Sequence, residues 1–183
     1  MRNAGLYFIA LIPPPKLREQ VKALKEDMKK RFMAGHALKS PAHITLQMPF
    51  KRKQTEEEEV MEALRLFSLG QDPFPVVLSG FDSFAPRVIY LKIEDHQPVI
   101  QLHERLRSML IRQLNFHPDE VSSRFHPHMT IATRDLHRKE YHRAWAELKD
   151  QTFTAAFEVN RLFLLKHNGK SWDIYREFLF EKD

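Results

Sequence analysis

Cysteine is absent from the chain. That excludes a disulfide framework and any thiolate metal site, and it fits a reducing, cytoplasmic setting. Long apolar runs are missing too: no segment approaches the ~20 apolar residues of a membrane span. The run Leu6–Ile12 ends in Pro13-Pro14-Pro15 and has no small-residue cleavage site. It therefore reads as a buried first strand and not as a signal peptide. No linker or low-complexity stretch interrupts the sequence, so residues 1–183 are expected to form a single domain.

What is present is the composition of an ordered globular protein. Hydrophobic residues make up 43% and charged residues 29%, and 14 Phe, 4 Tyr and 2 Trp are spread along the whole length, which argues against disorder. The net charge is +5 with ten histidines counted neutral. A mildly basic protein tends to meet anions, nucleic acid foremost.

Hydrophobic spacing gives the elements. Leu17, Val21, Leu24, Met28 and Phe32 recur at three-to-four spacing, predicting a helix with Lys22, Lys25, Lys29 and Lys30 in water. His43–Met48 reads as a strand. Thr55 with Glu58 forms a capping-box pattern ahead of Val60, Leu64 and Phe67, so the glutamates there belong to a helix start. Phe74–Phe84 and Val88–Ile93 read as two strands around an Ala85-Pro86-Arg87 turn. A third helix carries Ile100, His103, Leu106, Leu110 and Leu114. The strand His128–Ala132 and a short helix around Arg138–Leu148 follow. Phe153–Val159, Arg161–Lys166 and Trp172–Phe180 are strand-like, with Asn168-Gly169 as a hairpin turn. This mixture predicts an α+β fold with largely antiparallel sheets.

Two short segments match each other. Pro41-Ala42-His43-Ile44-Thr45-Leu46 and Pro127-His128-Met129-Thr130-Ile131 each hold His-x-Thr, an aliphatic residue after it and a proline upstream. Ten His and six Thr in 183 positions give about 0.3 such matches by chance, so two with similar flanks stand out. In a strand, residues i and i+2 share a face. His43, Thr45 and Gln47 are thus expected opposite Ile44, Leu46 and Met48, and His128 and Thr130 opposite Met129 and Ile131. Halves related by a pseudo-twofold axis would bring both His-Thr faces to one cleft. Such a cleft suits in-line displacement at phosphorus. One imidazole serves as base and the other as acid near neutral pH, while the hydroxyls donate to the non-bridging oxygens.

On these two motifs, HITL at His43–Leu46 and HMTI at His128–Ile131, the chain resembles the 2H phosphoesterases, specifically the 2'-5' RNA ligase and cyclic phosphodiesterase branch. Tyr7-Phe8-Ile9-Ala10-Leu11 and the closing strand pair support the likeness. It implies a bilobal α+β fold, in which two pseudo-twofold-related lobes of mostly antiparallel sheet, helices outside, flank a central cleft. It further implies catalysis by His43, Thr45, His128 and Thr130 on 2',3'-cyclic phosphates or 2'-5' linkages of RNA ends or small nucleotides. Reversible 2'-5' ligation is the back reaction. For cyclic-phosphate opening the resemblance implies His128 as base and His43 as acid. No cofactor, metal or obligate protein partner is implied.

One departure is at Thr133, where relatives often carry a basic residue; Arg134 comes one position later. Strand parity puts Arg134 on the His128 face if the strand continues. It is a candidate substrate contact, as are His126 at the cleft rim and the aromatics Tyr7 and Phe50, with Phe125 and Trp172 as further stacking surfaces. Lys51-Arg52-Lys53 directly follows the first motif strand and is a candidate for RNA backbone. Two other functions fit the same residues. One is a non-catalytic RNA- or nucleotide-binding module; the other is a metal-dependent hydrolase using His126 and His128, although no acidic residue stands at matching short spacing.

Overall fold

The structure, a computed structural model, describes residues 4–181. In chain order the elements are β1 (Ala4–Leu11), α1 (Pro15–Phe32), β2 (Ile44–Lys53), α2 (Glu57–Leu69), β3 (Phe74–Phe84), β4 (Val88–Ile93), α3 (Gln97–Gln113), β5 (His128–Ala132), α4 (Arg138–Leu148), β6 (Thr154–Val159), β7 (Arg161–His167) and β8 (Trp172–Leu179). The strands form two antiparallel four-stranded sheets, ordered β2-β1-β7-β8 and β5-β4-β3-β6. The fold is α+β, as the sequence pattern and the resemblance both imply.

The two motif strands hold equivalent places. Each lies at the edge of its sheet, next to the strand that precedes it through a helix: β1-α1-β2 in one sheet and β4-α3-β5 in the other. The two edges, β2 and β5, pack beside one another. The connecting helices are exchanged: α1 packs against β5 and α3 against β2. Helices α2 and α4 complete the cover, against β7 and β8 and against β4 respectively. One apolar cluster, with Ile9, Ile44, Leu164, Leu91 and Ile131 among its members, runs through both halves. No helix among the described residues is long and apolar enough to cross a membrane.

Local chemistry sets the boundaries. Helix α1 starts with Pro15 at its first turn, where the missing N–H costs nothing. It ends at Met33 in the left-handed region (φ 58°), with Met33 and Ala34 donating back to the Lys29 and Met28 carbonyls. Its buried stripe is Leu17, Val21, Lys25, Met28 and Phe32. Lys25, expected in water, is therefore inside, while Leu24 is only partly covered. Ahead of α2 the N-cap position falls on Glu56 and not on the expected Thr55, and the Glu56 carboxylate closes the preceding 3-10 turn by accepting from the Lys53 N–H at 2.7 Å.

Strand β2 departs from simple alternation. Its register against β1 slips twice, between Ala10↔Thr45 and Ile9↔Gln47 and again before Tyr7↔Phe50. Each slip is a bulge, which moves the following side chain to the other face. Gln47 consequently turns inward, donating to the carbonyls of Met48 and Glu120 at 3.1 and 2.8 Å. Met48, expected in the core, is 57% exposed.

Candidate active site

The sheet with β1 has one face in the main core and another that carries a separate small cluster: Phe8, Ala10, Ile12, Phe163 and Leu165, with Trp172 against it. Thr45 stands opposite Ala10 and so lies on this second face. His43, one residue before β2, rests on it as well, its ring 4.9 Å from that of Phe8. In the other sheet His128 stands opposite Lys92 and Thr130 opposite Tyr90. The His128 ring lies 5.0 Å from both Tyr90 and Phe84, edge-on to the latter.

Both imidazoles are held by the same device. The Nδ1 of His43 meets the Pro41 carbonyl at 2.7 Å, and the Nδ1 of His128 meets the His126 carbonyl at 2.6 Å. In each case the partner is two residues upstream. Since a carbonyl can only accept, each Nδ1 carries the proton and donates. In the neutral ring, Nε2 is then the free, basic nitrogen. The upstream prolines of both motifs sit within these two short turns.

Burial governs the proton affinities. It pushes His43 down to about 4, reinforced by the charges of Lys25 and His128 and opposed by the bond to Pro41. His128 is lowered by burial and by His126, against the opposing pull of its own carbonyl bond. Burial followed by the charge of Asp82 raises Tyr90 to about 12, so its hydroxyl stays protonated.

Of the sequence candidates, His43 and Thr45 lie together at the start of β2, His128 and Thr130 lie on β5, and these two edge strands pack beside one another. The exposed His126 ring packs on His96 at 4.7 Å, and its Nε2 meets the Tyr90 hydroxyl at 3.3 Å. The His126 and His128 rings lie 6.3 Å apart, the Nδ1 of His128 engaged with the backbone and the Nε2 of His126 with Tyr90. Among the described residues, no group of three or more His, Asp or Glu side chains is placed to hold a metal.

Tyr7 and Phe50 are elsewhere. They pair with each other across β1 and β2 in the main core, on the opposite face from His43. Adjacent strand residues point to opposite faces, and it is Phe8, not Tyr7, that faces the site. Arg134 also departs from expectation. Strand β5 ends at Ala132, and Arg134 follows in a left-handed bend (φ 53°), where its charge acts on His36. Arg52 lies over the Phe116 ring at 3.7 Å and pairs with Glu120 at 3.3 Å. Phe125 is stacked flat on His103 at 3.9 Å. Sequence reasoning missed Phe84, which is 40% exposed beside His128. The one available signal was its place at the end of a strand, next to a proline turn.

The fold and site define a class: two antiparallel sheets meeting at edge strands that each present a carbonyl-anchored histidine and a threonine. Residues 13–171 match the 2'-5' RNA ligase superfamily, and the chain belongs to that family. A protein of Geobacillus sp. (strain WCH70) named "Putative phosphoesterase" is 34% identical over 177 residues, covering 94% of this chain and 95% of the relative. One of the same name from Bacillus licheniformis is 32% identical, covering 94% and 97%. Among solved structures, Escherichia coli LigT complexed with 3'-AMP superposes with a TM-score of 0.71 at 20% identity, covering 97% of this chain and 99% of LigT. TT0787 of Thermus thermophilus gives 0.68 at 18%, with the same coverage. Membership and the named relatives support an enzyme of the two-histidine phosphoesterase type.

Proposed function

We propose that the chain is a metal-independent phosphodiesterase that opens 2',3'-cyclic phosphates or cleaves 2'-5' linkages at RNA ends or on small nucleotides. The observation that carries this reading is the matched pair of imidazoles, each locked through Nδ1 on its own backbone with Nε2 left for substrate. A phosphate between them meets a base on one side and an acid on the other. The neutral ring takes a proton from water through Nε2, and the water oxygen forms the new bond to phosphorus. The bond from phosphorus to a ribose oxygen breaks, and the charged ring returns a proton to that oxygen. Thr45 and Thr130 donate to the non-bridging oxygens.

With His128 as base and His43 as acid, the bound phosphate has to restore the proton that burial takes from His43. Its negative charge acts in that direction. Phe84, beside His128, and Trp172, packed edge-on against the Phe8 ring that neighbours His43, are aromatic surfaces suited to bases on either side of the phosphate. LigT in complex with 3'-AMP, ATP and NADP+ supports nucleotides as the ligand class.

The test is a panel of 2',3'-cyclic nucleotides, 2'-5' oligonucleotides and ADP-ribose cyclic phosphate, assayed with a chelator and no added metal. Turnover of at least one substrate is expected. Inactivity with chelator that divalent metal restores would overturn metal independence. Tight binding of the panel with no turnover would leave a binding module instead.

A further inference from the structure

Lys25 occupies a position that α1 otherwise fills with apolar side chains. It is 2% exposed, between Val21 and Met28 on the buried stripe. Its ammonium donates to the carbonyls of Ala37 and Ser40, both at 3.0 Å. Neither partner is a carboxylate. A buried cation satisfied by neutral groups is destabilising, and a methionine at this place would fill the stripe without that penalty.

The two carbonyls lie in the segment that delivers His43. Ala37 belongs to the short 3-10 turn His36–Lys39, Ser40 closes it, and Pro41 follows with the carbonyl that holds His43 Nδ1. Lys25 therefore clips the turn that leads into the motif, and Pro41, the next residue, holds the ring. The other half has a different arrangement: on α3 the buried polar side chain is His103, stacked flat on Phe125 just ahead of His126. There the loop is held by an aromatic stack, here by a charge.

We propose that Lys25 is a positioning residue for His43, clamping the turn that aims its imidazole and placing a fixed positive charge behind it. The proposal rests on the phosphodiesterase reading for its activity arm only. The charged groups acting on His43 are Lys25 from α1 and His128 from β5. The sheet beneath presents Phe8 and the adjoining Trp172. Burial pulls Lys25 itself down to about 8, which leaves it mainly charged at neutral pH. A depression of about 290 Å³ beside it is also lined by Arg18, Glu19, Lys22 and Lys39. Lys22 lies 4.0 Å from Glu19 and 3.9 Å from Glu26, so its charge is opposed locally.

The experiment compares wild type with Lys25→Met, Lys25→Gln and Lys25→Arg. Two quantities are read: the His43 titration midpoint by NMR of the imidazole, and kcat and KM against pH on a panel substrate. In Lys25→Gln one carbonyl keeps a donor but the charge is gone, so the His43 midpoint should rise by about one pH unit. The alkaline limb of kcat, which the acid His43 governs, should move with it. Lys25→Met loses both functions, and kcat should fall on the order of 10- to 100-fold with KM little changed. Lys25→Arg should recover most of the rate and a near-native midpoint. If Lys25→Met does not fold, Lys25→Gln decides. A folded Lys25→Gln protein in which His43 titrates as in wild type overturns the proposal whatever the activity. Wild type inactive on every panel substrate sinks the phosphodiesterase reading, and the His43 midpoint still judges Lys25.

Discussion

The two half-sites share one backbone device and differ in nearly everything around it. His43 sits on Phe8, part of an apolar cluster flanked by Trp172, and a buried cation holds the turn that precedes it. His128 sits beside Phe84, Tyr90 and His126, and the last two are themselves joined by a hydrogen bond. The carbonyl two residues upstream gives both rings the same tautomer, while the lining gives them different proton affinities. An acid and a base can thus be made from two copies of one motif by changing what surrounds them.

The strongest way to break the comparison is to remove each ring in turn. His43→Ala and His128→Ala should each lower kcat on the order of 10²–10⁴-fold while the protein stays folded, because a proton transfer is lost on one side of the phosphate. If one replacement leaves turnover near wild type, that half is a bystander and the two-sided mechanism fails.

A smaller effect sharpens the contrast in burial. Unfolded, His43 titrates near its ordinary value of 6.5, and folded it is held to about 4. Between those values the unfolded chain binds more protons, so stability falls as the pH drops through this window, by at most about 3 kcal/mol from this group. Denaturation midpoints measured from pH 7 to pH 4 should show the loss, and His43→Gln should flatten the slope. An equal slope in wild type and His43→Gln would show that His43 is not the desolvated ring.

The smallest expected effect concerns the aromatics. Phe84→Ala should raise KM for nucleotide substrates about tenfold, the scale of one stacked base, whereas Tyr7→Phe should leave KM unchanged. Equal effects from the two would mean that Phe84 acts only by packing against His128.

Much of this was legible from spacing alone. The helices and strands follow their hydrophobic periods, and the paired His-x-Thr segments mark both half-sites. What escaped was local and three-dimensional. The two bulges in β2 reverse Gln47 and Met48, and alternation cannot reveal them because they arise from pairing with β1. Tyr7 and Phe8 are adjacent aromatics, and a one-residue choice of face separates core from cleft. Arg134 fits the strand pattern until the chain turns left-handed. Lys25 has the spacing of a core residue, four after Val21 and three before Met28, but Leu24 next to it offers the conventional choice. Its partners are backbone carbonyls, which leave no trace in the identity of other residues.

The exchange of α1 and α3 between the sheets makes the molecule a handshake within one chain. Each sheet keeps its motif strand but borrows the cover for that strand from the helix that interrupts the other. A partly folded form with one complete half is therefore denied its own lid. The two histidines are thus expected to unfold together, as one cooperative unit.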